Sequence, residues 1–562
     1  MMSDLLCSLR APLLAGLLIL ASAAMADERV EELLADFDQS TPGVVIGVVH
    51  DGELVFSAAA GMADLRFGVP VETTTRINIG STAKQFTGLA LALLHVRGEL
   101  SLDDDVRKYV PELPQFEHTV TLRHLLSHTS GYREFLNAEA LAGVRIEKGD
   151  WMDREAVIAT VQRQTELQNR PGDEWNYNNT GFGLLAEVVT RVTGRPYQDW
   201  VREEIFEPLG MHDTLFRLSP DEVVTNASTG YIKNDGRYLE GRDIGGALGA
   251  GGVYTTVADM ARWMVHLGSF ELGGEAAQEL MTTPFELNDG ESSGYGLGLT
   301  IDEFRGLDRW QHGGGDIGHL SVFGYLPELD AGYMIFANHS GIDADFIHGV
   351  AEAFFGEHLA PREAANDEEP DPAVFTEDDE FTDEFFDRYA GRYELEVMPG
   401  FIMRFFRDDD RYMIQATGQP AFEITPVSSN TFTQDQVGAR FVFHVEEDGG
   451  VQELTLHQNG EHRGVRVEEE VTEGRALSEY VGLYMSRELE TFYTIAVNDS
   501  GQLELGHRRF KPVTLHHAAD DLFNGSFPVV SVEFVRDEDG NVRELKAGNV
   551  RARNIVFERV VE

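Results

Sequence analysis

A serine and a lysine three residues apart stand at the head of a long apolar run. Ser81 and Lys84 begin segment 81–96, which is apolar on nearly every side and predicts a buried helix. Residues three apart share a helix face, so the lysine amine is expected beside the serine hydroxyl. A neutral lysine can take the hydroxyl proton once burial lowers its pKa by roughly three units. The pair predicts a nucleophilic serine, and the alternative is a helix cap followed by a solvated lysine.

Two further polar motifs follow along the chain. Tyr177-Asn-Asn179 lies in a polar loop before a predicted helix, where a tyrosine can relay protons and an asparagine can hold a lysine and a substrate carbonyl. His312-Gly-Gly314-Gly315 precedes the late strands, and glycines there let a substrate lie against backbone amides that can form an oxyanion hole. Each motif alone is weak. The prediction of a catalytic site depends on all three together.

With these motifs in this order, the chain resembles the serine β-lactamase and penicillin-recognising family, which carries S-x-x-K, Y-x-N and K-T-G or H-x-G. The resemblance covers about residues 30–355, and stretch 121–131 is similar to the class C-like branch. It implies that Ser81 is the nucleophile and Lys84 its base or proton acceptor. It also implies that Tyr177 is the acid/base partner.

The resemblance further implies how substrate is held. Asn179 would be a ligand of the substrate and of the lysine, and His312 the third-motif cation or donor. The Ser81 and Gly315 amides would form the oxyanion hole, and Gly314 would belong to the same substrate-binding strand. No cofactor or metal is implied.

The third motif has a histidine, whereas class C β-lactamases have K-T-G at this place. The histidine favours a peptidase or esterase over a resistance enzyme. D-aminopeptidases of the family combine H-x-G with two β-barrel domains after the catalytic one. The resemblance therefore implies an acyl-enzyme hydrolase acting on D-amino-acid or other small peptides. An esterase or weak β-lactamase remains an alternative within the family. A non-catalytic protein that binds peptidoglycan fragments is the alternative from another class.

The elements around the motifs predict an α/β domain. Two β-type runs, 44–50 and 53–59, flank an Asp-Gly pair and predict a hairpin, and 321–326 and 333–337 predict late strands. Strands at both ends with helices between them indicate a sheet closed by distant parts of the chain. By resemblance this sheet is antiparallel, flanked by helices and accompanied by a helical subdomain. Helices are predicted at 81–96, 121–128, 155–167, 181–193 and 257–267.

The last third of the chain repeats itself. Tyr389 and Tyr480, and likewise Phe443 and Phe534, are separated by the same 91 residues, within short alternating strands. This spacing predicts two copies of one small all-β module, each a lipocalin-like barrel. The predicted organisation is a signal peptide at 1–26, a catalytic domain at 27–360, an acidic linker at 361–384, and β modules at 385–470 and 476–562.

Composition and the N-terminal segment limit the partners. The chain has 562 residues with 96 acidic and 45 basic side chains, a net charge of −51 that disfavours binding to nucleic acid or anionic membranes. An apolar run after Arg10 that ends at Ala26 predicts a secretory signal, hence a periplasmic or secreted protein without a membrane span. The single cysteine, Cys7, lies within the predicted signal peptide, so the mature chain is expected to contain no cysteine. Disulfides and cysteine-ligated metals are therefore excluded. His124 and His128 are predicted to be structural rather than zinc ligands.

Overall fold

The computed structural model describes residues 29–560 except for several gaps. These gaps are 153, 235, 243–244, 246–247, 363–385, 396–400, 409–410, 417–420, 435–438, 446–449, 458–460 and 468–475. The predicted signal peptide and nearly all of the predicted linker lie outside the described residues. Two compact units are present, one comprising the chain to Leu136 with Arg145–Arg362, the other Asn137–Val144 with the chain from Glu363.

A six-stranded antiparallel sheet organises the first unit. Its strands are β1 (Val44–His50), β2 (Glu53–Ala60), β3 (Thr300–Phe304), β4 (Leu307–Asp316), β5 (His319–Leu326) and β6 (Ala331–Ala337). The strand order is β3-β4-β5-β6-β1-β2, so the two ends of the unit meet where β1 pairs with β6. Apolar side chains cover both faces, because β1 and β6 are buried between two hydrophobic cores. The predicted antiparallel sheet closed by distant segments is confirmed.

Helices accompany this sheet, and all but the last of them lie between β2 and β3 in the chain. They are α1 (Lys84–Val96), α2 (Leu122–Leu126), α3 (Phe135–Leu141), α4 (Arg154–Gln162), α5 (Asn179–Thr193), α6 (Tyr197–Val201), α7 (Val257–Ser269), α8 (Gly274–Thr282) and α9 (Ala344–Phe355). Shorter strand pairs and single turns connect them, at Met62–Asp64, Val69–Pro70, Ile77–Asn78, Leu215–Phe216, Tyr231–Asn234, Arg237–Glu240 and Val253–Thr255.

The helix predicted over 155–167 ends earlier, at Gln162. Two other predicted helices also differ at their ends. The segment predicted as one helix over 81–96 begins as a 3₁₀ turn, Gly80–Ala83, and becomes α-helical at Lys84. The helix predicted over 121–128 is α2, which is shorter because His128 adopts a φ of 61° that cannot continue a helix. Both departures occur next to the chemistry-bearing motifs.

The second unit contains the two repeated modules as β sheets. The first is a nine-stranded sheet built from Gly391–Leu395, Ile402–Asp408, Arg411–Ala416, Phe422–Glu423, Thr425–Pro426, Thr431–Gln434, Ala439–Val445, Val451–His457 and Glu461–Val467. The second is a closed eight-stranded barrel built from Gly482–Ser486, Thr491–Val497, Leu503–Gly506, Val513–Ala519, Leu522–Asn524, Ser531–Arg536, Val542–Gly548 and Ile555–Arg559. Two barrel-like modules were predicted, and one is closed and the other nearly closed.

The repeated residues build equivalent parts of the two modules. The Tyr393 hydroxyl donates to the carbonyl of Tyr389 at 3.1 Å, and the Tyr484 hydroxyl donates to that of Tyr480 at 2.7 Å. These tyrosines are buried with the repeated phenylalanines in separate aromatic cores. The repeat in sequence is thus a repeat of core packing.

One short segment from the first half of the chain belongs to the closed barrel. Ala138 and Leu141, both on α3, are buried in the barrel core. The Leu141 carbonyl accepts a hydrogen bond of 2.7 Å from the Tyr493 hydroxyl. The side chain of Asn549 donates to the Asn137 carbonyl at 3.1 Å. The sequence pattern did not indicate this arrangement, because the contacts span more than 300 residues. Among the described residues, no helix is long and apolar enough to cross a membrane.

Candidate active site

The Ser81 hydroxyl and the Lys84 amine meet where the 3₁₀ turn passes into α1. In a 3₁₀ turn, side chains three positions apart are nearly eclipsed. Lys84 Nζ therefore lies 3.0 Å from Ser81 Oγ, within hydrogen-bond distance. Ser81 is half-buried and lines a cavity of about 560 Å³, so a small molecule can reach its oxygen. The two residues are in the contact that their spacing predicted.

Lys84 is completely buried, with 0 % of its surface exposed. Its Nζ also donates to Asn179 Oδ1 at 2.7 Å and to the Ala250 carbonyl at 2.9 Å. The rings of Tyr177 and Phe182 flank the amine, with centroids 4.8 and 5.4 Å from Nζ. These contacts hold the amine in one orientation, pointed at the serine. They also remove it from water, as the proposed chemistry requires.

Asn179 is oriented by a residue that the sequence reasoning missed. Its Nδ2 donates to Glu134 Oε1 at 3.1 Å, which leaves Oδ1 to accept the bond from Lys84. Glu134 is fully buried, and the adjacent buried Arg133 is 3.7 Å from a different carboxylate, that of Glu166. A buried carboxylate is costly unless it is hydrogen-bonded, which makes Glu134 a candidate positioning residue. The signal in sequence was an Arg-Glu pair within an otherwise apolar stretch.

The Tyr177 loop rests on His128. The ring of His128 lies 4.3 Å from that of Tyr177, centroid to centroid, and its Nδ1 accepts from the backbone N–H of Asn178 at 3.0 Å. His124, four residues earlier, accepts from the Thr121 amide in the capping box of α2. Both rings thus bond to protein amides. In the part of the chain that the structure describes, no cluster of three metal-ligating side chains occurs.

His312 lies in the interior of β4 and faces Tyr295. Its Nδ1 donates to the Gly313 carbonyl at 2.6 Å, and its Nε2 accepts from the Tyr295 hydroxyl at 2.8 Å. Burial, together with the charge of Lys84, lowers the pKa of His312 to about 3. The ring is therefore neutral at pH 7. Of the two roles that the resemblance implied, cation or donor, this environment disfavours the cation.

The glycines after His312 have different surroundings. A Cβ on Gly314 would lie 2.0 Å from the Ile79 carbonyl oxygen, so only glycine fits between β4 and the serine turn. A Cβ on Gly315 would meet nothing within 4 Å, and Gly315 lines the cavity. Gly80, with φ of 48°, is pressed against the backbone of Gly315. The close approach puts the Gly315 backbone against Gly80, the residue that precedes Ser81.

The cavity opens around these groups. Besides Ser81, its walls include Asn179, Gly315, Trp151 and Asp316. Asp316, at the end of β4, accepts a bond of 2.5 Å from the side chain of Asn78, whose own oxygen accepts from the Gly80 amide. This chain of bonds ties the strand end to the start of the serine turn. Ser81, Asn179 and Gly315 thus line one cavity, while Lys84 and His312 are buried and Gly314 is half-buried.

Comparison with known proteins gives a consistent result. A family model described as Beta-lactamase matches residues 24–353. The chain is 27 % identical over 542 residues to a D-aminopeptidase of Cereibacter sphaeroides, covering 92 % of this chain and 96 % of the relative. It is 24 % identical to Penicillin-binding protein 4* of Bacillus subtilis, covering 74 % and 93 %.

A solved structure shares the fold. The octameric penicillin-binding protein homologue from Pyrococcus abyssi superposes with a TM-score of 0.54 at 24 % identity, covering 79 % of this chain and 99 % of that one. The fold of the first unit and the order of the motifs agree with the family match, which spans more than half of the chain. The chain is a serine hydrolase and belongs to the β-lactamase family.

Proposed function

We propose that the chain is an exported hydrolase that cleaves small peptides bearing D-amino acids through an acyl-enzyme on Ser81. The observation that carries the proposal is the 3.0 Å contact between Ser81 Oγ and a fully buried lysine amine, at the edge of a cavity of substrate size. A binding protein has no need for such a pair, because burying a lysine costs stability. The D-aminopeptidase relative, which aligns along both the catalytic unit and the β modules, supports the substrate class.

Lys84 donates two hydrogen bonds to oxygens that can only accept, those of Asn179 and Ala250. A neutral amine would use its two protons there and turn its lone pair to Ser81 Oγ. After accepting the serine proton, the ammonium has three acceptors in the same places. Lys84 can therefore change protonation state without moving, which is what a base in this position requires.

The reaction then follows in two steps. Ser81 Oγ bonds to the substrate carbonyl carbon while its proton passes to Lys84 Nζ. The C–N bond breaks as Tyr177 donates its hydroxyl proton to the leaving amine and regains one from Lys84. Water, deprotonated by the same groups, attacks the ester carbonyl and releases Ser81. The amides of Ser81 and Gly315 are the proposed donors to the oxyanion.

His312 acts in this scheme as a neutral, fixed part of the strand. A lysine in the third motif would carry a positive charge, whereas the buried imidazole of His312 is uncharged at pH 7. This difference supports a peptidase or esterase over a β-lactamase. Export rests on the N-terminal pattern, with cleavage after Ala26 and release into the periplasm or medium.

The first test is covalent labelling of the intact chain. After exposure to a fluorophosphonate and, separately, to penicillin, mass spectrometry of tryptic peptides should find the fluorophosphonate adduct on Ser81. The adduct should be absent from Ser81→Ala and retained in Ser269→Ala, which removes an exposed serine elsewhere. The absence of an adduct on Ser81 with either reagent would contradict the hydrolase mechanism.

The second test separates substrate classes. D-Ala-p-nitroanilide should be hydrolysed faster than L-Ala-p-nitroanilide, a short-chain ester and nitrocefin. Turnover of the ester alone would assign an esterase and overturn the D-peptidase proposal. Turnover of nitrocefin alone would assign a β-lactamase.

A further inference from the structure

A groove lies between the two β modules within the second unit, remote in sequence from the catalytic motifs. Its volume is about 890 Å³, within the range of about 300–1,000 Å³ of known ligand clefts. Its described lining contains no aspartate or glutamate, although acidic residues outnumber basic ones 96 to 45 in the chain. The charged and titratable lining residues are Arg392, Arg404, Arg466, His516 and His517.

Two of these arginines face each other on adjacent strands. Arg392 and Arg404 are direct cross-strand partners in the antiparallel pair Gly391–Leu395 and Ile402–Asp408. Both are on the outer face, because their neighbours Tyr393 and Met403 are buried in the core of the module. Like charges directly opposite each other on a sheet are destabilising.

Among the described residues, no carboxylate pairs with either arginine, and the side chains of Arg392 and Arg404 form no ion pair or hydrogen bond. The Arg404 guanidinium instead lies 4.8 Å from the ring of Phe406. The groove also brings in a third cation, since Arg466 lines it with its head bonded to backbone carbonyls. An arrangement of this kind is unfavourable in the unliganded protein.

The repeated module shows that the fold does not require the pair. The residue in the second module that corresponds to Arg392 is Leu483, which is paired across strands with Thr494. The same hairpin thus forms with an uncharged pair at this position. The two arginines are therefore a property of the first module and not of the architecture.

The second module lines the other side of the groove with His516 and His517. Burial and the charge of Arg404 lower the pKa of His516, so its ring adds no negative charge and no further cation at pH 7. The remaining polar lining is made of primary amides, those of Gln415, Gln452, Gln502 and Asn524. Guanidinium groups match carboxylates, and primary amides both donate to and accept from peptide groups.

We propose that this groove binds a short acidic peptide, whose carboxylates neutralise the Arg392–Arg404 pair and whose backbone bonds to the flanking amides. The mixed donors and acceptors favour a peptide over a phosphate chain, which would use donors alone. The site is independent of the Ser81 chemistry.

Isothermal titration of the full chain with N-acetyl-tri-glutamate amide at about 50 mM salt tests the proposal. Binding is expected, with an affinity that falls as salt rises because the groove is exposed. Ser81→Ala should bind equally well, which separates this site from the proposed catalytic function. A chain that binds no peptide under these conditions contradicts the proposal.

The decisive double variant gives the first module the two residues that the second module has at the equivalent positions, Leu483 and Thr494. Arg392→Leu/Arg404→Thr should weaken binding at least tenfold, whereas Arg487→Gln/Arg508→Gln removes the same charge elsewhere and should not. Equal weakening by both double variants would mean a general charge effect and no site. Binding of tripolyphosphate without binding of the peptide would replace the peptide with a phosphate ligand and overturn the assignment.

Stability provides a second readout. Without peptide, Arg392→Leu/Arg404→Thr should melt at the same temperature as the wild type or higher, since a repulsive pair is gone. The peptide should raise the melting temperature of the wild type only. A lower melting temperature in the variant would show that the arginines stabilise the module, and would remove the reason to assign them to a ligand.

Discussion

The interior around Lys84 and the interiors of the β modules are built on opposite principles. The first buries a lysine and a glutamate in one hydrogen-bonded group with Asn179 at its centre, and a neutral histidine that bonds separately to Tyr295. The module interiors are almost entirely aromatic and aliphatic, and the hydroxyls of Tyr393 and Tyr484 bond to backbone carbonyls. Burying ionisable groups lowers the stability of the folded chain, whereas burying aromatic rings raises it.

Chemistry and stability are therefore expected to depend on different parts of this chain. Substitutions in the Lys84 group should lower catalysis and leave stability unchanged or improved. Substitutions in the module cores should lower stability and leave chemistry unchanged. The five tryptophans all lie before residue 362, so their fluorescence reports on the catalytic unit alone.

Replacing the lysine should give the largest effect. Lys84→Met keeps the length of the side chain and removes the base, so kcat/KM for D-Ala-p-nitroanilide should fall by about 10³-fold or more. The urea midpoint of tryptophan fluorescence should stay the same or rise, because a buried amine is replaced by an apolar group. Lys108→Met removes an exposed lysine and is the control. Retained activity in Lys84→Met would mean that Lys84 is not the base.

A core substitution in the closed barrel tests the opposite half. Phe534 packs against Tyr480 and Phe523, and Phe534→Ala should lower the free energy of unfolding of the module by about 3–5 kcal/mol. Near-ultraviolet circular dichroism of the tyrosines during urea unfolding measures this loss. In native buffer, kcat/KM should remain within about twofold of wild type. A fall in kcat/KM as large as that of Lys84→Met would mean that the modules take part in the chemistry.

Glu134 is expected to orient Asn179 within the catalytic unit. Glu134→Ala frees Asn179 to rotate away from Lys84, and kcat should fall by about 10- to 100-fold with a smaller change in KM. Glu134→Gln can still accept the hydrogen bond from Asn179 and should restore part of the activity. Equal rates in the two variants would mean that Glu134 does not act by orienting Asn179. Steady-state kinetics with D-Ala-p-nitroanilide separates these outcomes.

The acid side of the stability profile tests a buried histidine of the catalytic unit. His266 is buried between Trp263 and Phe270, and burial lowers its pKa to about 4 from an ordinary 6.5. As the pH falls below 6.5, His266 binds a proton in the unfolded chain but stays neutral in the folded chain. Stability contributed above pH 6.5 is thus lost between 6.5 and 4, at about 1.4 kcal/mol per pH unit. His124, His312 and His319 act in the same direction.

Urea unfolding followed by tryptophan fluorescence at pH 7, 6 and 5 measures this slope for the catalytic unit. His266→Phe should make it shallower by about 1.4 kcal/mol per pH unit, the smallest of the four effects. His517→Phe changes an exposed histidine of the β modules and should leave the slope unaltered. An unchanged slope in His266→Phe would show that this ring is protonated in the folded protein.

Local sequence patterns were sufficient wherever neighbours along the chain decide the outcome. The alternating and apolar runs predicted β1 and the late strands, because their burial follows directly from residue type. The spacing of 91 residues predicted two modules of one kind. The Ser81-x-x-Lys84 spacing predicted a contact that the 3₁₀ turn then made closer than an α-helix would.

Contacts between distant segments decided the rest. Glu134 reaches Asn179 across 45 residues, and α3 supplies Ala138 and Leu141 to a barrel more than 300 residues away. The sequence by itself determined that a serine and a lysine share one buried turn, since three-residue spacing and apolar neighbours suffice for that. Only the tertiary structure decided which acceptors hold the amine, that His312 is neutral, and that Arg392 faces Arg404. Each of these depends on burial and on partners that no local pattern encodes.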